Sequence, residues 1–145
     1  MKRTNLILVL LCISLVLTSC AIEQSPIDYG KDACYYCKMN IVDKQHAAEI
    51  VTDKGKPYKY DAIECMMQDI KERENEIKIE LFLITDYSTP GKLVDALNST
   101  YLISENLPSP MGANLTGFEK KEDALEKQKE KDGTIYSWDE LKKLF

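Results

Sequence analysis

The sequence predicts an α+β fold: two small ββαβ units packed together behind a lipoprotein signal and a flexible tether. Three observations carry that prediction. Short runs alternating apolar and polar residues outnumber the helical stretches. Two helix-period stretches, 63–70 and 121–131, each come after a pair of strand-like runs. Each is followed by one further strand, so the order ββαβ occurs twice and reads as an internal duplication of element order, without matching residue identities. Neither unit could bury its sheet face alone, and the pair would share one core.

The elements follow in order. Residues 40–42 and 47–52 are strand candidates, the second alternating Ala48, Ile50 and Thr52 against Glu49 and Val51. Asp53-Lys54-Gly55-Lys56 reads as a hairpin turn with glycine available for positive φ, and 57–60 as the returning strand. Asp61 occupies an N-cap position with Glu64 at capping-box spacing, ahead of a helix whose Ile63, Met66, Met67 and Ile70 fall at i, i+3, i+4 and i+7. A half-buried strand over 77–85 completes the first unit, 33–87. In the second unit, 88–145, the strand candidates are 93–94, 101–104, 114–118 and 134–137. Its helix over 121–131 stops before Asp132-Gly133, and a short helix closes the chain over 138–145. The charged run 119–131 reads as a solvated face, with Asp123 and Lys127 as an attractive pair, and carries no functional assignment.

The N-terminus predicts export. Lys2 and Arg3 precede an apolar run over 5–17, too short for a comfortable membrane span, and Leu17-Thr18-Ser19-Cys20 resembles a bacterial lipobox. The expectation is a signal peptide over 1–19, cleavage before Cys20 and lipidation of that thiol. The protein would then be held on the periplasmic side of a bacterial membrane by acyl chains. Residues 20–32 would be the lipidated tether, made flexible by isolated Ser, Pro and Gly. The chain has 19 Lys and Arg against 24 Asp and Glu, and loses two of its cations with the signal. That balance argues against nucleic acid as a partner, which needs a basic footprint.

Of five cysteines, Cys12 leaves with the signal and Cys20 takes lipid, so Cys34, Cys37 and Cys65 remain. An odd set in an oxidising compartment leaves at least one thiol free, metal-bound or reactive. The segment Cys34-Tyr35-Tyr36-Cys37-Lys38-Met39 puts two thiols and a thioether within six residues. Donors of this kind select Cu(I), zinc or iron–sulfur, and the thioether shifts the balance toward copper. Met39 shares a face with Cys37 if the segment is extended; the alternative is core filling. Met111 sits in Leu107-Pro108-Ser109-Pro110-Met111-Gly112, where two prolines stiffen a loop that presents it as a donor or folds it back as a lid. His46, the one histidine, lies at a turn and is either a surface residue or a further ligand. Cys65 falls ~200° around the helix from Ile63 at ~100° per residue, off the apolar stripe, and is either a small buried residue or a reserve thiol. Beside a lipid-anchored interaction scaffold whose sulfurs are incidental, two readings that use the cysteines compete with a metal site. One is a Cys34–Cys37 disulfide. The other is a thiol–disulfide oxidoreductase or copper-site reductant using the same pair, although the motif here precedes a strand and not a helix.

Taken together, Cys20, Cys34-x-x-Cys37-x-Met39, Asp61-Ala62-Ile63-Glu64-Cys65-Met66, Val94-Asp95-Ala96 and Pro110-Met111-Gly112 with Leu115 and Phe118 resemble the NosL family. These are copper-chaperone lipoproteins of nitrous oxide reductase maturation, and the resemblance spans nearly the whole mature chain. It implies a two-lobed ββαβ fold, Cu(I) as cargo, and delivery toward nitrous oxide reductase with an ABC-type maturation complex. The family's Cys-Gly-Met falls on Cys37 and Met39, and its Pro-Met-Gly methionine on Met111. Lys38 stands where glycine is usual, which questions the backbone turn, since glycine suits φ > 0, and sets a cation beside the thiol that should ease its deprotonation. The resulting expectation is a metallochaperone and not an enzyme. Cys37 would be the principal ligand, Met39 and Met111 the thioethers, and His46 or Cys34 would complete the shell.

Overall fold

The computed structural model describes residues 21–145, so the signal peptide and Cys20 lie outside the described residues. Two antiparallel sheets form. The first contains β1 (Ala48–Thr52), β2 (Pro57–Tyr60), β3 (Ile79–Thr85) and β4 (Leu93–Asp95), in the order β2-β1-β3-β4, with helix α1 (Ile63–Glu72) between β2 and β3. The second contains β5 (Thr100–Ile103), β6 (Leu115–Phe118) and β7 (Thr134–Tyr136), in the order β6-β5-β7, with α2 (Lys121–Lys131) between β6 and β7. Helix α3 (Trp138–Leu144) ends the chain. Each ββαβ unit therefore has its first strand in the middle of its sheet. Residues 93–95, expected with the second unit, instead extend the first sheet, Val94 lying opposite Ile84. A 3-10 turn over Ala96–Asn98, with the Asp95 carboxylate accepting from the Leu97 N–H, then redirects the chain into β5.

All five residues of β1 are buried, where alternation had predicted one solvated face. The cause lies in the segment expected to be tether. The Ser25 N–H donates to Glu49 Oε1 at 2.7 Å, and Lys59 Nζ bonds the Pro26 carbonyl and Asp32 at 2.7 Å each. Gly30 N donates to the Ile41 carbonyl, and Ile27 and Tyr29 pack on the core. Residues 25–32 are thus a strap across β1 and β2. Residues 40–42 form no strand; Asn40 makes only an isolated bridge to Ala33.

One main core spans both units, with Ile50, Tyr60, Ile63, Met66 and Ile84 packed with Tyr101, Leu115, Trp138 and Leu141. The seam needs Gly117 on β6, because a Cβ there would collide with the Ile84 side chain and crowd Ile63. A smaller cluster of Leu102, Leu107, Phe118 and Ala124 lies under α2. The capping box forms at the other end of the chain. Ser137 and Glu140 satisfy each other's N–H at the start of α3, while α1 begins at Ala62 with no side-chain cap.

Candidate metal centre

The sulfur segment folds into a tight loop. Ala33 and Asn40 bridge its base, Cys34 N–H donates to the Met39 carbonyl at 2.7 Å, and Lys38 N–H donates to the Cys34 carbonyl at 3.0 Å. Closing so short a loop requires a left-handed residue, and Lys38 takes that place with φ 67°. For a residue with a Cβ this conformation costs roughly 1–2 kcal/mol. The Lys38 ammonium bonds the Tyr35 carbonyl and lies 4.4 Å from the centre of the Tyr35 ring. Its charge goes to Tyr35, not to the Cys37 thiol as expected from sequence. The Tyr35 N–H donates to the Lys59 carbonyl and fixes the loop to β2.

Helix α1 supplies the rest of the centre. Sulfur atoms of Cys34, Cys37 and Cys65 and a carboxylate oxygen of Asp61 all lie within 4.8 Å of one another. Asp61, free of the capping role predicted for it, accepts from the Cys37 thiol at 3.3 Å. Cys34 and Cys65 are 1% and 2% exposed, and Cys37 is half-buried. All three thiols are free. Crowding separates their acidities. Donation from the Cys65 thiol brings Cys34 down to about 6, against the desolvation of its own burial. That same bond, then burial and the Cys34 charge, drives Cys65 well up. Burial pushes Cys37 up to about 11, assisted by its bonds to Cys34 and Asp61. The cluster therefore holds its first negative charge readily, chiefly on Cys34, and further charges only at a cost that a bound cation would remove.

Of the residues singled out in the sequence, Cys34 and Cys37 are in this cluster. Met39 follows Cys37 directly through Lys38, with its side chain 56% exposed. Met111 is 42% exposed at the third position of a turn closed by Gly112 N–H to the Ser109 carbonyl at 3.1 Å. His46 is buried elsewhere, its Nδ1 at 2.9 Å from Asp43 and its Nε2 at 3.2 Å from Thr116, so both ring nitrogens are engaged. Cys65 and Asp61 are the members that the sequence did not assign to the site. Their i, i+4 spacing at a helix start, together with the odd third thiol, was the available signal.

Three thiols and a carboxylate converging at the start of α1 in a small α+β domain define a centre suited to a soft metal ion. The chain belongs to the NosL family, whose model matches residues 27–144. Its fold is similar to the crystal structure of the copper chaperone NosL from Shewanella denitrificans. The two chains are 18% identical, with a TM-score of 0.72 over 83% of this chain and 96% of that one. No curated protein matches the chain in sequence.

Proposed function

We propose that this protein is an exported, lipid-anchored Cu(I) carrier that supplies copper for maturation of nitrous oxide reductase, together with an ABC-type maturation complex, and is not an enzyme. The observation that carries the reading is the convergence of Cys34, Cys37, Cys65 and Asp61 within 4.8 Å. Such a sulfur-rich set favours Cu(I) over hard cations, and family membership supports copper as the cargo. Cys37 is the accessible thiolate ligand, Cys34 and Cys65 are the buried ones, and the exposed Met39 and Met111 are the thioether donors. Their exposure suits ligand exchange with a recipient. Export and anchoring at Cys20 rest on the N-terminal sequence.

The oxidoreductase reading has less support. Cys34 and Cys65 are shielded from a disulfide substrate, and the Cys34–Cys37 loop does not open a helix. Anaerobic Cu(I) titration of the reduced, detergent-solubilised chain against a chelator, with X-ray absorption on the loaded protein, tests the proposal. One equivalent held through sulfur is expected, with tight binding lost in Cys37→Ser. Absence of stoichiometric Cu(I), or undiminished affinity in Cys37→Ser, would sink it. A Cys20→Ala chain should leave the membrane fraction.

A further inference from the structure

We infer that Glu64 is the positioning residue that holds the Met111 turn against the helix carrying the thiol cluster. The inference rests on the reading of Met111 as a copper ligand. Glu64 lies next to Cys65 in the first turn of α1 and is buried. Among the described residues its carboxylate belongs to neither a salt bridge nor a helix cap. Instead, Glu64 Oε1 accepts from the Ser109 hydroxyl and from the Ala113 N–H at 3.4 Å. The Ser109 hydroxyl oxygen also accepts from the Leu115 N–H at 3.3 Å. Ser109 and Ala113 are the residues on either side of Pro110-Met111-Gly112, so one carboxylate oxygen grips both ends of the segment that displays the thioether.

The loop is stiff in its own right. Pro108 and Pro110 fix φ, and the bond between Gly112 N–H and the Ser109 carbonyl closes the turn. Stiffness sets the shape of the turn but not its position relative to the cysteines. Glu64 supplies that position, joining a loop of the second unit to the helix of the first. For packing alone an apolar side chain would serve without desolvating a carboxylate, and here Oε2 is buried with no partner among the described residues. What the carboxylate adds is a two-ended anchor, which places a ligand before the metal arrives and spares the ordering cost on binding.

A double-mutant cycle on the full chain in detergent, read as Cu(I) affinity by chelator competition, tests this. Glu64→Ala should weaken Cu(I) about tenfold in the parent chain and cause no further loss in a Met111→Leu background. Glu64→Gln keeps an oxygen for both donors and should retain the parent affinity. X-ray absorption on copper-loaded Glu64→Ala should show one sulfur scatterer fewer. Equal losses in both backgrounds would make Glu64 merely structural and overturn the inference. If Met111→Leu leaves the affinity unchanged while Cys37→Ser abolishes it, the reading of Met111 itself fails, and this inference falls with it. Should Glu64→Ala not fold by circular dichroism, Ser109→Ala, which deletes one of the two anchoring bonds, decides the same cycle.

Discussion

The two ββαβ units share a strand order and differ in what covers their helices. In the first, α1 buries Ile63, Glu64, Cys65, Met66, Met67 and Asp69, and its N-terminus is enclosed by the sulfur loop on one side and the Ser109–Ala113 segment on the other. In the second, α2 buries only Ala124 and starts among exposed lysines. Topology is thus common property, set by which strands alternate and where the turns fall. Chemistry arises where a helix start is covered by other segments, because burial is what brings soft donors together and shifts their acidities. The second unit contributes a loop to that cover, while its own helix faces solvent.

Substitutions that sharpen this contrast range widely in size. Asp69 ties α1 to β2, accepting from Tyr60 Oη at 2.6 Å and from Arg73 Nε at 2.9 Å. Asp69→Ala leaves the buried Tyr60 hydroxyl without its acceptor and the half-buried Arg73 without its ion-pair partner, and should cost about 3 kcal/mol or more in urea unfolding, the largest effect anticipated. Next is a pH response confined to the first unit. The Cys34 thiol is lowered to about 6 in the folded chain from an ordinary 9.0, so the unfolded chain binds more protons between those values. Apo stability should therefore rise by a few kcal/mol, to order of magnitude, from pH ~6 to ~9, and disappear again as pH falls through the folded value. Above pH ~9 the raised Cys37 and Cys65 reverse the slope. Reduced protein under anaerobic conditions, scanned by urea midpoint against pH, reads this directly; a flat profile in the parent chain would contradict a shared thiolate.

Smaller effects distinguish site from seam. Cys65→Ser should weaken Cu(I) by about a hundredfold in chelator competition, a loss expected for a ligand given that supporting groups alone are worth ~10–100-fold. Gly117→Ala should cost about 1–3 kcal/mol by overpacking Ile84 and Ile63, without touching the cluster, so that copper stoichiometry survives in the folded fraction. Leu125→Gln on α2 should shift stability by less than about 0.5 kcal/mol, since that face is half exposed. A large loss there would mean that α2 is covered in solution and that the contrast between the helices is not intrinsic.

The elements were largely legible in the sequence, because periodicity is local: the hairpin over 47–60, α1, and every later strand and helix fall within a few residues of their predicted places. What escaped depends on contacts distant in the chain. Asp61 and Glu64 have the spacing of a capping box, and nothing local shows that a thiol and a serine hydroxyl would claim their oxygens first. Cys65 lies off the apolar stripe and looked peripheral; it is buried because the loop of residues 34–39 covers that side of the helix. Glu49 reads as a solvated strand residue until the Ser25 N–H arrives from 24 residues earlier. Lysine where glycine is usual left the turn after Cys37 in question, and only the folded loop answers it: Lys38 takes the positive φ itself.

The strap alters the mechanics of anything held at residue 20. With Ser25 pinned to Glu49, only residues 21–24 remain as slack, and five peptide steps reach at most about 17 Å. Glu49 pairs across the sheet with Lys59, whose carbonyl holds Tyr35, so the pin and the sulfur loop share one rung of β1 and β2. A leash of that length fixes a radius and leaves mainly angles free. The sulfur loop would travel by the whole domain pivoting about its attachment, not by an arm extending from it.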